Sequence, residues 1–492
     1  MTDSPIQNFY KSSNVFITGG TGFMGSILVE KILSTTETST LYMLVRKKKD
    51  QCAQQVLDKL FENKIFEKLK IACPTFRDRV HPISGDCSVS GFGLADQDRE
   101  ELLAKTNVIF HMAATVRFNA NLKEAYAINF NGAREIVIMA KSMKNLKALV
   151  HVSTAYSNFP RKIIEEKIYD FPYSYEGVSS VINALNDSDI EKLTPKLIGS
   201  WPNTYTFTKG LAESFIKEAG SDIPVAIFRP SIVMPTYKEP LEGWTNNLNG
   251  PVGISLGVVS GTLNVMPYHV GNNMADIIPV DSCIAGLIAA AWDVSTKFNR
   301  CQENVAVYNF VSGNDNPISW KEIMNMTAVQ AKRQLTNESR GRIMVIYPSN
   351  IIMFWILMVS LHLIPALLHD IYAVFVNKKF RMLRLYKRYL NGYPLVYPFH
   401  SRTWTFTNQN VKEMWKKMDQ RDRVLFPLSL AIVNWETYFE RYVKGLHQIS
   451  RSKTIKEPVP VGKHKRFHLL RQLLKTALVF FLCTIFMDMK IC

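Results

Sequence analysis

The stretch VFITGGTGFMG, residues 15–25, decides how the rest of the chain is read. A short apolar strand, Val15 to Ile17, runs into a glycine-rich turn and then into a helix that opens with Ile27 and Leu28. Glycines recur at 19, 22 and 25. A dinucleotide pyrophosphate needs backbone N–H groups at close range and a helix N-terminus aimed at it, and a Cβ at these positions would obstruct the approach. Glycine motifs alone are common, but strand, turn and helix in this order make the signal specific. Thr18, Gly19, Gly20, Thr21, Gly22, Phe23, Met24 and Gly25 are therefore the expected cofactor loop.

Outward from this loop the same rhythm repeats. Short apolar runs at 41–45, 80–84, 108–112, 148–152 and 225–228 alternate with helix-like stretches. Each run is rich in β-branched or aromatic residues and apolar on both faces, as expected for parallel strands covered by helices on both sides. The fold class that follows is α/β, a doubly wound parallel sheet of Rossmann type. Residues 157–203 interrupt the rhythm with Pro, Tyr, Ser and mixed charge and are too long for an ordinary connection, so a lid or substrate-facing insertion is expected there.

The chain has 492 residues, 47% of them apolar and 21% charged, which favours two folded regions with appendages. The expected organisation is an N-terminal tail over 1–13, a catalytic domain over 14–320, a mainly helical domain over 321–450, a basic linker over 451–466 and a membrane-anchor tail over 467–492. Helical periods after residue 320 place Trp435, Tyr438, Phe439, Tyr442, Val443 and Leu446 on one face, read as core packing. Residues 343–369 carry no formal charge if His362 and His369 are neutral, but Pro348 and Pro365 interrupt them, so the segment spans a membrane, re-enters it or is buried. The uncharged run Thr476–Met487 is 12 residues, too short to cross a hydrocarbon core of roughly 30 Å; extended back to Leu469 it is long enough to span, with a shallow anchor or a buried terminal helix as the alternatives.

Net charge is +17, and from Arg441 to Lys475 ten Lys or Arg face a single acid, Glu457. Cations beside an apolar tail suit an anionic membrane face, whereas no nucleic-acid-binding motif is present, so membrane lipids and not nucleic acid are the expected partner. Seven cysteines without a CxxC pair read as reduced thiols, and the N-terminus shows no basic region followed by an apolar stretch; a cytosol-facing catalytic region is expected. No metal-ligand spacing is found.

Strand two is followed by Arg46-Lys-Lys-Lys49, where an NAD enzyme would carry an acid for the ribose hydroxyls. A guanidinium there pairs with a 2′-phosphate, so NADPH is the expected cofactor, with Arg46 its contact. Asp86, just after strand three, is assigned to the adenine amino group. Of 19 tyrosines only Tyr205 is followed four residues later by lysine, Lys209. That spacing puts phenol and ammonium on one helix face, where the cation is expected to lower the phenol's pKa and make it a proton donor. Thr154, with Ser153 as second choice, supplies the hydroxyl that holds a developing oxyanion.

TGGTGFMG, the Ser-Thr pair and Tyr205/Lys209, in that order, resemble the extended short-chain dehydrogenase/reductase superfamily over roughly residues 14–310. The segment around Asn129 is similar to that superfamily's asparagine helix, which implies a water relay from Asn129 to Lys209. More narrowly, FHMAATVRF (110–118), VHVSTAYSN (150–158) and Tyr205 to Glu213 resemble eukaryotic fatty acyl-CoA reductases, as do His362–Asp370 and Trp404–Trp415 downstream. The resemblance implies that Ala113 lines the cofactor. It also implies NADPH-dependent reduction of a long-chain fatty acyl-CoA to a primary fatty alcohol through a bound aldehyde, with two NADPH consumed and CoA released. The implied location is a membrane, by default the endoplasmic reticulum, with lipid droplet or peroxisome surface as alternatives. Competing readings are another extended reductase of sterol or sugar-nucleotide type and a catalytically silent NADPH-binding sensor, which would bind the cofactor without consuming it.

Overall fold

Apolar runs that bury both faces must pair with each other, and they do so in one sheet. The computed structural model describes residues 4–47, 51–268, 271, 273–298, 305–334, 343–375 and 381–451. Its strands are β1 (Asn14–Thr18), β2 (Thr40–Val45), β3 (Val80–Ser84), β4 (Val108–His111), β5 (Ala148–Val152), β6 (Ile163–Ile164), β7 (Val225–Pro230), β8 (Ile232–Met234), β9 (Ile277–Pro279), β10 (Ala306–Phe310) and β11 (Thr405–Phe406). Seven of them form a parallel sheet in the order β3-β2-β1-β4-β5-β7-β10. The chain leaves β1 toward β2 on one side and later returns to β4 on the other. Connections diverge at that reversal and leave a crevice beyond the carboxyl ends of β1 and β4, the position where doubly wound sheets bind ligands.

The chain falls into two compact units, and they interleave in sequence. The sheet unit comprises residues 1–242, 276–317 and 404–433; the helical unit comprises 243–275, 318–403 and 434–492. This differs from the sequential boundary expected at 320. The reason is pairing at long range: β11 lies parallel to β6, and Trp404 packs its ring on Tyr156 and Phe159, with centroids 5.2 and 5.1 Å away. Residues 1–13 were expected to be a tail. Among them Ser4 caps a short helix, Pro5–Tyr10, whose Ile6 and Tyr10 are buried, the Tyr10 hydroxyl donating to the Ile288 carbonyl at 2.9 Å. The insertion at 157–203 contains β6 and two helices, Tyr175–Ala184 and Asp187–Ile198.

Within the helical unit the stripe from Trp435 to Leu446 is buried, as core packing requires. The apolar segment is a helical run, Ile351–Phe375, broken by neither proline. Pro348 precedes it, and Pro365 follows a π turn over Val359–Leu363, where the backbone ladder has already left the i→i−4 pattern that a proline ring disrupts. The basic linker beyond Arg451 and the apolar tail lie outside the described residues.

Candidate active site

The glycine turn sits at the end of β1 and leads into the helix Phe23–Thr35, with Gly22 at its N-cap. Gly19 takes φ +76°, and a Cβ there would stand 2.8 Å from the amide nitrogen of Ala113, so β1 and the residue after β4 approach each other backbone to backbone. At Gly25 a Cβ would meet the Gly19 carbonyl oxygen and, at 2.6 Å, the Gly20 Cα. Thr21 and Gly22 are exposed, so the outer face of the turn is open. Thr18 is occupied within the protein: its Oγ1 lies 2.8 Å from His111 Nδ1 and accepts from the Ala113 N–H at 3.3 Å. A bare backbone turn capped by a helix N-terminus fits a dinucleotide's diphosphate.

Arg46 and Asp86, assigned to different parts of a cofactor, meet: the guanidinium Nε is 2.6 Å from Asp86 Oδ2. Asp86 also accepts from the Ser88 N–H and hydroxyl at 2.9 and 2.8 Å.

The helix Thr204–Ala219, started by the Asn203 side chain accepting from the Thr206 N–H, carries Tyr205, Lys209 and Glu213 at four-residue intervals on one face. Lys209 is buried and donates to the Val152 carbonyl at the end of β5, 2.7 Å away. Tyr205 stacks on Phe118 at 6.0 Å, with the Thr154 side chain beside its phenol. Ser153 turns elsewhere, donating to Glu213 Oε1 at 2.5 Å. That carboxylate is held by the fully buried Arg229, through Nε at 2.9 Å and Nη2 at 2.7 Å, while Arg229 also donates to the carbonyls of Glu165 and Lys167 in the insertion. The two hydroxyls that the sequence leaves as alternatives thus have different partners.

Electrostatics depart from expectation in one respect. Burial pushes the Tyr205 phenol up to about 12, with the Thr154 hydrogen bond acting against it. Lys209 is itself brought down to about 8 by burial, partly offset by Glu213 and Cys87. The expected lowering of the phenol by Lys209 is absent, because desolvation dominates and the ammonium is spent on the Val152 carbonyl.

Asn129 is buried in a π turn, Tyr126–Asn131, and its amide is fully engaged: Oδ1 accepts from the Thr115 N–H at 2.9 Å, and Nδ2 donates to Thr208 Oγ1 at 3.0 Å and the Thr115 carbonyl at 3.3 Å. It braces the residue beside Lys209. Two features escaped the sequence reading. His111 and His151, in register on β4 and β5, stack at 5.3 Å, and burial drives both well toward the neutral form. Glu213 and Arg229 are the other; the third member of a Tyr-x₃-Lys-x₃-Glu series was the available signal.

A family model described as "Male sterility protein", for an NAD-binding domain, matches residues 17–287, and a second with the same description, the Sterile domain, matches 361–450. The chain is 37% identical to fatty acyl-CoA reductase wat of Drosophila melanogaster over 95% of its own length and 90% of that protein's. It is 34% identical to human fatty acyl-CoA reductase 1, covering 89% of this chain and 85% of the relative. Among solved structures, the reductase domain of a non-ribosomal peptide synthetase from Mycobacterium tuberculosis superposes with a TM-score of 0.59 at 18% identity, over 90% of this chain and 95% of that one, which establishes the shared fold.

Proposed function

The chain belongs to the fatty acyl-CoA reductase family of oxidoreductases, and from that premise we propose that it uses two NADPH to reduce one long-chain acyl-CoA to a primary alcohol through a bound aldehyde. The observation that carries this reading is the grouping of Tyr205 and Lys209 on one helix face with Thr154 beside the phenol, Lys209 being fixed at the end of β5 on the glycine-loop edge of the sheet.

Gly19 to Gly25 would hold the diphosphate and Arg46 the 2′-phosphate. Bound there, NADPH supplies hydride to the substrate carbonyl carbon, once at the thioester and once at the aldehyde. Thr154 and Tyr205 then do the protein's part. In the first reduction their hydroxyls hydrogen-bond the oxyanion, which re-forms a carbonyl as the C–S bond breaks and CoA thiolate leaves. In the second, Tyr205 Oη gives its proton to the alkoxide. A phenol near 12 remains a far stronger acid than an alcohol, so the transfer runs downhill. Lys209, anchored on the Val152 carbonyl, would hold the nicotinamide ribose beside Tyr205, and Asn129, through Thr208, keeps the helix turn bearing Lys209 in place. An apolar product supports a membrane location with the site facing the cytosol; we assign the endoplasmic reticulum, and fractionation against lipid-droplet and peroxisome markers checks it.

The test is product analysis of membranes carrying wild-type or Tyr205→Phe protein with NADPH and acyl-CoAs from medium to very long chain. Wild type should form alcohol at two NADPH per chain and the variant should not; absence of alcohol and aldehyde with every acyl-CoA would overturn the proposal.

A further inference from the structure

The helical run Ile351–Phe375 combines a mean hydropathy of 2.4 with only one-third burial of its most apolar window. Its exposed apolar side chains are ordered. Up to the first residue of the π turn they are Ile351, Ile352, Trp355, Ile356 and Val359, the last four spaced i, i+3, i+4, i+7. After it Ile364, Leu367, Leu368 and Ile371 repeat that spacing, and Tyr372, Val374 and Phe375 are exposed at the end of the run. The step from Val359 to Ile364 in the exposed stripe is five residues. An α-helix with no insertion would rotate the second half by about 100° relative to the first. The π turn over Val359–Leu363 adds the one residue that keeps the exposed stripe straight. Exposed apolar surface is thereby gathered on one face along a helix of about 37 Å.

The opposite face is fastened to protein by polar groups. Buried His362 accepts at Nε2 from the N–H groups of Asn264 and Val265, at 3.4 and 3.3 Å, and its Nδ1 is 3.1 Å from the Tyr386 hydroxyl. Asp370 accepts from the Met382 and Leu383 N–H groups at 2.7 and 3.0 Å, capping the helix Met382–His400. That helix exposes Arg384, Lys387 and Arg388 in its first two turns. From Ile371 to Thr403 the sequence holds seven Lys or Arg and no acid. Crossing a bilayer would carry Arg384, Lys387 and Arg388, on the helix fastened alongside by His362 and Asp370, into hydrocarbon, at roughly 2.5–3.5 kcal/mol each near its centre. Lying flat leaves them at the headgroups.

We propose that Ile351–Phe375 lies in the plane of an anionic bilayer surface, with its single exposed apolar face immersed in the interface, and does not span. The proposal is independent of the reaction assigned above. To test it, an environment-sensitive fluorescent amino acid is placed singly at Ile352, Val359, Leu367 or Ile371 of the full chain on phosphatidylcholine vesicles with and without phosphatidylserine, using lipids with quenchers at shallow or deep acyl positions. These side chains are exposed, so the fold is not disturbed, and any anchoring by the C-terminal tail is common to all variants. Equal, shallow quenching at all four sites is expected. Depth that changes progressively along the helix would mean a spanning segment, and no lipid quenching would mean a protein partner or solvent; either overturns the proposal. Arg384→Gln/Lys387→Gln/Arg388→Gln should weaken quenching on anionic vesicles at least about threefold, below the roughly fivefold per cation that a surface charge contributes; an unchanged signal overturns the anionic requirement.

Discussion

Thr154→Ala and Ser153→Ala each delete one hydroxyl from adjacent residues, yet their partners differ enough to separate chemistry from stability. The Thr154 hydroxyl lies beside the Tyr205 phenol and accepts weakly from the Tyr156 N–H at 3.3 Å. Its removal should cost under about 1 kcal/mol of stability, because only neutral bonds are lost. It also removes a donor from the oxyanion, typically worth about 10²–10³ in kcat. Ser153 donates at 2.5 Å to a buried carboxylate that retains Arg229 and the Asn158 amide at 3.3 Å. Its loss should cost about 1.5–2 kcal/mol, the low end for a bond to a charged group, and lower Tm by a few degrees at about 2–4 °C per kcal/mol. Turnover by the folded Ser153→Ala enzyme should stay within roughly tenfold of wild type. Steady-state alcohol formation and thermal unfolding of both variants make the comparison. Retention of kcat within about threefold by Thr154→Ala, or a hundredfold loss by Ser153→Ala at unchanged Tm, would refute the division of roles.

Glycine substitutions should separate fold from cofactor in the same way. In Gly22→Ala the new Cβ lies 3.2 Å from the Gly19 carbonyl, a tight but adjustable contact, so NADPH affinity should fall at least about tenfold with Tm little changed. Gly25→Ala presses on the Gly20 backbone at 2.6 Å and should lower both, by about 1–3 kcal/mol in stability; cofactor titration and melting decide. Arg46→Ala should weaken NADPH binding by about 10–100-fold and barely affect NADH, and equal losses for both would remove the 2′-phosphate assignment. Because Lys209 sits at about 8, its charged fraction declines as pH rises through that value, and kcat/KM should show an alkaline limb there; a plateau continuing to pH 10 would exclude a role for the ammonium.

Features that depend on neighbours in sequence were legible. Six sheet strands announced themselves as apolar runs, and the glycine turn and Tyr205/Lys209 are carried by local spacing. β10 was missed, since Ala306–Phe310 follows the polar stretch Asn299–Asn304 and stands apart from the earlier alternation. Features that depend on distant partners were not legible. Arg46 and Asp86 were given separate duties because nothing in their spacing tells that they form an ion pair. The Tyr205 phenol was expected to be acidified from its helix position alone, whereas its pKa is set by what surrounds the site. Two-residue strands such as β6 and β11 have no period to read, and on their pairing turns the membership of residues 404–433 in the sheet unit.

That membership has a bearing on synthesis. A ribosome making this chain finishes all seven sheet strands at Phe310, but the pieces that close over them arrive about a hundred residues later: Trp404 against Tyr156, Asn410 donating to the Val307 carbonyl at 2.8 Å, and Lys417 3.1 Å from Asp293. Until then the nascent sheet waits with its seam open, and the entire apolar run Ile351–Phe375 emerges in the interval. The sheet unit is therefore completed only after Ile351–Phe375 has left the ribosome, so that apolar run is made before the catalytic half can close.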